Sequence, residues 1–292
     1  SVVPYVQYKR LSVYSYNYDL LPMLYSYTMR TITSVFFDID GTLTSFTTND
    51  VPRSARDAVE ICRQKGIKTA LATGRSPQEL QAVQRTLDMD FDGCVCMTGQ
   101  IAYDGKGTYR DEYLKHEEIE LFISYIPDHP DISVHFSEKD YGYFNRIGAE
   151  VTKLYKDLGG TVNKAVIDDP MRALDHNIYQ FSMFVPLDVE KELDTMFTHI
   201  RPVRWHPDFA DFIPADGGKD KGIQAMLDAW GLGREGCVVF GDGGNDIDML
   251  DYAGIGVAMG NAHPSVKSHA DYVAQSVDDD GVYKALKHFG IV

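Results

Sequence analysis

The feature that most constrains this chain is an alternation, at both of its ends, of short apolar runs with stretches of helical length. From Thr31 the order is an apolar run Ser34 to Phe37, a helical stretch Arg53 to Lys65, a run Thr69 to Ala72, a helix Pro77 to Leu87 and a run Cys94 to Met97. The pattern returns late in the chain with a helix Asp220 to Trp230, a run Cys237 to Phe240, a helix Asp246 to Tyr252, and short runs Ile255 to Ala258 and Tyr272 to Val273. Short apolar runs alternating with helical stretches in this way are the pattern of right-handed βαβ units and a parallel sheet.

The class expected is therefore α/β, a Rossmann-like doubly wound parallel sheet. Between its halves, helical stretches at Glu117 to Ile126 and Asp188 to His199 mix with strand-like runs at Ile132 to Phe136 and Tyr179 to Phe184. That mixture predicts an inserted α+β domain over 111–205, with the core formed by 29–110 and 206–292. A chain of 292 residues is long enough for two such cores. Residues 1–28 are rich in Tyr, Ser and Leu, keep no period, and precede Met29. They are read as a non-native or flexible extension, with a docking arm as the alternative.

Charge narrows the partners. A formal charge of −15 disfavours nucleic acid and anionic lipid, whose binding needs many Lys and Arg contacts. No apolar run reaches the roughly 18–20 residues that span a bilayer, and no signal-peptide layout opens the chain. The expectation is a cytoplasmic protein, monomer or weak homodimer, acting on a small molecule. An anionic ligand would then require a local cation. The four cysteines contain no CxxC pair, and Cys94 and Cys96 alternate on one side of a strand, so they read as buried thiols. The histidines show no zinc-ligand spacing.

Four short motifs carry chemistry. Val35-Phe36-Phe37-Asp38-Ile39-Asp40-Gly41 is an apolar strand ending in two carboxylates and a glycine. In open α/β sheets ligands bind at such strand ends, although Asp and Gly singly are also ordinary turn residues. Leu71-Ala72-Thr73-Gly74-Arg75 runs from a strand into a helix start, where a hydroxyl and backbone N–H groups suit an anion. The plain alternative there is a turn with Ser76 as N-cap and Pro77 at the first helical position. Lys219-Asp220-Lys221 opens a helix, and Val238 to Asp246 is a buried strand ending in two acids four residues apart, with Asn245 between them.

Taken in order, these segments resemble the four motifs of the haloacid dehalogenase superfamily in its phosphatase form. The resemblance implies that Asp38 is a nucleophile that becomes phosphorylated. Asp40 would protonate the leaving alcohol and later deprotonate water, general acid and base work worth about 10²- to 10⁴-fold. Thr73, Gly74, Arg75, Asn245 and a lysine would bind the phosphoryl oxygens. Lys221 matches the family's lysine, with Lys219 as the neighbouring alternative. Asp38, the backbone carbonyl of Asp40 and Asp242 would ligate Mg²⁺, and Asp246 would orient the metal's water shell or the lysine. A metal and a lysine would also resolve the charge problem of an acidic protein holding phosphate.

The insertion between Thr73 and Lys221, with the tail Val257-Ala258-Met259-Gly260-Asn261-Ala262, resembles the Cof-type branch with its C2 cap. This implies a magnesium-dependent phosphatase of small phosphorylated metabolites such as sugar phosphates. A phosphotransferase or mutase would use the same motifs. A non-catalytic sugar-phosphate-binding regulator would not need Asp40. Thr98-Gly99-Gln100 departs from the pattern, since many relatives carry Asn before that glycine.

Overall fold

The computed structural model describes residues 4–5, 30–157 and 165–292. The expected N-terminal extension lies almost wholly outside them. Within it, β1 (Pro4–Tyr5) pairs antiparallel with β2 (Arg30–Thr31).

The main sheet has eight strands. At its centre β3 (Ser34–Phe37) lies between β4 (Lys68–Ala72) and β13 (Cys237–Gly241), both parallel to it. β5 (Gly93–Cys96) extends the parallel array on one side, with β14 (Ile255–Ala258) and β15 (Tyr272–Val273) on the other. A hairpin of β6 (Ile101–Asp104) and β7 (Gly107–Asp111) closes the β5 edge in antiparallel fashion.

The central strands are mostly apolar because both faces of the sheet are covered. On β3, Val35 and Phe37 enter one cluster, with Ala55, Ala58 and Val59 of α1 (Arg53–Gln64) and Leu286 of α8 (Gly281–His288). Phe36 enters the other, with Ile223, Met226 and Leu227 of α6 (Lys219–Trp230) and Met249 and Leu250 of α7 (Ile247–Tyr252). β13 repeats the division, Val238 and Phe240 against Cys237 and Val239. Cys96 and Cys94 likewise share one side and Val95 takes the other; the thiols are free, and burial pushes that of Cys94 up to about 11. α2 (Pro77–Leu87) starts with a capping box between Ser76 and Glu79, with Pro77 at its first position.

The second sheet is antiparallel, five strands in the order β11 (Ile200–His206), β12 (Phe209–Pro214), β10 (Gln180–Met183), β8 (Val134–Ser137) and β9 (Gly142–Phe144). One face carries Phe136, Phe181 and Phe212 against Phe122 of α3 (His116–Tyr125) and Leu193 of α5 (Leu187–Met196). Phe122 and Phe181 stack with centroids 4.3 Å apart. The opposite face carries His135, Ser137, Gln180, Ser182 and Asp211. α4 (Ala149–Asp157) packs at the edge through Val151 and Leu154, beside Phe144.

The expected boundary at 205/206 falls inside β11 and would assign β12 to the core. The structure instead places β12 between β10 and β11 and ends this sheet at Pro214. The reason is register: Phe212 pairs with Phe181 and fills the same aromatic layer.

Candidate active site

β3, β4 and β13 end side by side, so the residues following them converge at one edge of the parallel sheet. Asp38 follows β3 directly, its N–H donating to Phe240 O at 2.9 Å, and its side chain is buried. Its Oδ1 accepts from Lys219 Nζ at 2.6 Å. The same ammonium reaches Asp246 Oδ1 at 2.5 Å. Asp246 Oδ2 accepts the backbone N–H groups of Asp242 and Gly243, both at 2.8 Å, which fixes the loop after β13.

The lysine is thus a correction to the sequence reading. Lys219 is fully buried between two carboxylates, whereas Lys221 is half-exposed and pairs with Asp220 at 3.1 Å. α6 begins at Lys219, and two residues further along a helix is about 200° of rotation, so the two ammonium groups cannot serve the same site. Burial opposes charge on Lys219, but Asp246 and Asp38 outweigh it and raise the pKa above the usual lysine value. It stays an ammonium.

Asp242 lies across from Asp38, with Thr42 Oγ1 donating to its Oδ1 at 2.8 Å and Asn261 Nδ2 approaching its Oδ2 at 3.3 Å. Gly41 turns at φ +86°, and a Cβ there would stand 2.2 Å from Asp242 Oδ2, so both backbone conformation and space demand glycine. Asp40 does not join this group. Both its oxygens are held by Arg75, Nε to Oδ2 at 2.8 Å and Nη2 to Oδ1 at 2.7 Å, a bidentate pair.

Thr73 follows β4, its Oγ1 accepting the N–H of Arg75 at 3.2 Å and its own N–H donating to Val95 O. Asn245 reaches the same place from the β13 loop: its Nδ2 would lie 3.7 Å from a Cβ on Gly74. Behind the Thr73 loop, Met97, Thr98 and Gly99 hold φ of 51°, 52° and 98° in succession. A β-branched residue in that region is strained by roughly 1–3 kcal/mol. The turn lets Thr98 N–H meet Thr73 O and Met97 N–H meet Arg75 O. A Cβ on Gly99 would lie 1.8 Å from Gly218 O, so this glycine lets the turn before Lys219 approach.

Asp38, Asp242 and Asp246 offer ligand atoms all within 4.8 Å of one another. With Asp40, four carboxylates face two cations, Lys219 and Arg75. Burial, reinforced by the charge of Asp246, pushes Asp242 up to about 7 despite the Thr42 hydrogen bond. Burial also raises Asp38 well above the ordinary carboxylate range; Lys219 opposes this, and Asp246, Asp242 and Asp40 add to it. Such a site is short of positive charge. Its donors are all oxygens, without thiolate or imidazole, so it fits a hard divalent cation. Asp246 has both oxygens committed to Lys219 and backbone N–H groups, which leaves it an orienting part; Asp38 and Asp242 are the ligands of choice.

The sequence offered Lys219 only as the alternative to Lys221, and it did not single out Thr42 or the cap-side Gln180. Gln180 Nε2 donates to Gly74 O at 3.2 Å, and Thr98 Oγ1 donates to its Oε1 at 3.3 Å. A helix-opening lysine after Gly217-Gly218 was the available signal for Lys219.

The family model of the haloacid dehalogenase-like hydrolases matches residues 35–286. A Streptococcus pyogenes protein named "Putative bifunctional phosphatase/peptidyl-prolyl cis-trans isomerase" is 30% identical over 281 residues, 91% of this chain and 56% of that protein. The chain thus spans about half of that relative's length. "Putative phosphatase YkrA" of Bacillus subtilis is 29% identical over 88% of this chain and 98% of its own. Among solved structures, the subclass IIB sugar phosphatase BT4131 is 35% identical with a TM-score of 0.80, covering 89% of this chain and 100% of that one. BT1666 from Bacteroides thetaiotaomicron, described as a phosphatase of the superfamily, is 30% identical with a TM-score of 0.81, over 89% and 96%. With both the family model and these folds matching nearly the whole described chain, the protein belongs to the haloacid dehalogenase-like hydrolases, in the Cof-type phosphatase branch.

Proposed function

We propose that this chain is a magnesium-dependent phosphatase that hydrolyses small phosphomonoesters, sugar phosphates foremost, through a phosphoaspartate at Asp38. The observation that carries the reading is the environment of Asp38: one oxygen pinned by the buried ammonium of Lys219, within ligand distance of Asp242. The named activities of BT4131 and YkrA point the same way.

In this reading Asp38 attacks phosphorus, the P–O bond to the alcohol breaks, and Asp40 gives its proton to the departing oxygen. Asp40 then takes a proton from the water that attacks the phosphoaspartate, releasing phosphate and restoring Asp38. Bound Mg²⁺ would neutralise charge on the phosphoryl oxygens, held by Asp38, Asp242 and the backbone carbonyl of Asp40. Lys219 keeps Asp38 oriented and offsets its charge. Thr73, Gly74 and Asn245 bind phosphoryl oxygens from the opposite side.

Arg75 has a consequence of its own. The guanidinium covers the bidentate face of Asp40, so it must turn away before a leaving oxygen can approach the carboxyl group from that side. An arriving phosphoryl group, with its stronger charge, is the natural competitor for Arg75. The second sheet acts as the cap that closes over this edge, spanning roughly 112–214, and it excludes bulky substrates.

Phosphate release with and without magnesium tests the reading. Asp38→Asn should lower turnover by more than about 10³-fold while the fold persists. Retention of magnesium-dependent release by that variant would remove Asp38 from its role.

A further inference from the structure

Buried acids in this molecule are generally matched by something that offsets their charge. Asp38 and Asp246 share Lys219, Glu138 meets Arg172, and Glu190 meets Arg204. Glu118 accepts two backbone N–H bonds, from Thr198 and His199. Asp211 differs. It is 3% exposed, and its partners are two neutral side chains: the Ser182 hydroxyl on Oδ1 at 2.5 Å and the Trp205 indole N–H on Oδ2 at 2.8 Å. A carboxylate offers about four acceptor directions, so two remain unfilled. Keeping an acid from water without a cation is costly, and such groups concentrate where a ligand completes them.

Its place in the fold says which ligand. On β12 the neighbours Ala210 and Phe212 enter the aromatic layer, so Asp211 stands on the opposite face. Strand register sets it beside Ser182, and Ser182 beside His135, a polar row across three strands. That face meets the parallel sheet's strand ends at two points. Gln180 bonds to Gly74 and Thr98 at one. At the other, Trp205 lies against the loop after β13, its Cβ 3.5 Å from where a Cβ on Gly243 would stand. Asp211 sits between the strands that make these contacts. It therefore overlooks the gap between the Thr73 loop and the Asp242 loop. Burial raises its carboxyl above the ordinary range, opposed by its two hydrogen bonds and by the more distant charge of Lys219, with Glu79 adding to the rise.

We propose that Asp211 is a specificity-determining residue that accepts hydrogen bonds from hydroxyl groups of the leaving alcohol, so that polyhydroxylated monophosphates are preferred. Trp205 and Ser182 are positioning residues that aim the carboxylate. The same negative charge disfavours a second phosphate on the substrate. This rests on the phosphatase reading and narrows it to a leaving-group chemistry.

The test uses the full chain with magnesium and four esters: glucose 6-phosphate, ribose 5-phosphate, glycerol 3-phosphate and p-nitrophenyl phosphate. The wild type should favour at least one hydroxyl-bearing ester over the nitrophenyl ester in kcat/KM. In Asp211→Asn, which keeps the side chain's shape, that ratio should fall about 10- to 100-fold, the scale of lost hydrogen bonds to a charged group. Trp205→Phe should shift it in the same direction by less, and decides the matter if the first variant does not fold. An unchanged ratio, an equal loss on every ester, or a wild-type preference for the nitrophenyl ester would overturn the proposal. No phosphate release from any of the four by the wild type would contradict the phosphatase reading itself.

Discussion

The two sheets of this molecule solve different problems, one covered on both faces and the other packed on one. In the parallel sheet both faces are buried under helices, so β3 and β13 have no side chain to spare for chemistry until they end. Chemistry is pushed to the strand termini, where Asp38, Thr73 and Asp242 stand together. In the antiparallel sheet one face is stacked phenylalanines and the other is free to be polar, so Gln180, Ser182 and Asp211 lie along strands rather than beyond them. The lesson is that one region holds reacting groups at strand ends and the other presents a flat row of polar groups, and variants should separate the two.

The largest effect is expected at Lys219. Lys219→Met leaves Asp38 and Asp246 buried without their cation, a loss of about 3–5 kcal/mol. Turnover should drop by more than about 10²-fold on every ester alike. Denaturant melts with steady-state assays check both, and near-normal turnover would break the assignment of chemistry to this strand edge.

Phe181→Ala strikes the other region. It empties the centre of the aromatic layer formed with Phe122, Phe136 and Phe212, and should cost about 3–5 kcal/mol. Hydrogen exchange should show the loss concentrated in 112–214, with the parallel strands still protected. Uniform loss of protection would mean that the two sheets form one cooperative unit.

A smaller effect follows from titration. Without metal, folded Asp242 holds its proton up to about pH 7, whereas unfolded it releases it near the ordinary value of about 3.9. The folded state binds more protons across that interval, so this group's contribution falls as pH rises from about 4 to about 7, by on the order of 4 kcal/mol. Metal-free Asp242→Asn should therefore gain on the wild type between pH 5 and pH 7.5 in thermal melts. Added Mg²⁺ at a hundredfold above its Kd should narrow the difference at pH 7.5 by about 2.7 kcal/mol, through the wild type alone. A constant difference between the proteins across this range would sink the electrostatic account. The smallest effect is expected for Lys221→Met, within about 0.5 kcal/mol.

Much of the parallel half was legible in the sequence. Its strands are continuous apolar runs bounded by Gly, Asp and Thr, and α2 is announced by Ser76, Pro77 and Glu79, so expectation and structure agree there to within a residue or two. The antiparallel half was legible only as a mixture. β12 reads Phe-Ala-Asp-Phe-Ile-Pro, and its central acid breaks the apolar pattern that would have marked it as a strand. β11 contains Pro202 at a sheet edge, where proline is tolerated but disguises a strand. The hairpin of β6 and β7 was missed because Gly105-Lys106 is a short turn in a polar stretch. At the site, the four motifs named Asp38, Asp40, Asp242 and Asp246 but preferred Lys221 to Lys219, because inward and outward residues two apart at a helix start look alike until the helix phase is known. Thr98 was visible only as a departure, and its left-handed backbone needed coordinates.

The central claim is that phosphate passes through a covalent ester on the carboxylate that follows β3. Rapid acid quench of the enzyme turning over a phosphorus-32-labelled ester, followed by proteolysis and mass spectrometry, measures it directly. The expected result is label in the peptide spanning Ser34 to Thr44, on Asp38, and none in Asp38→Asn. Label on another side chain, or turnover with no labelled protein at any quench time, would contradict it.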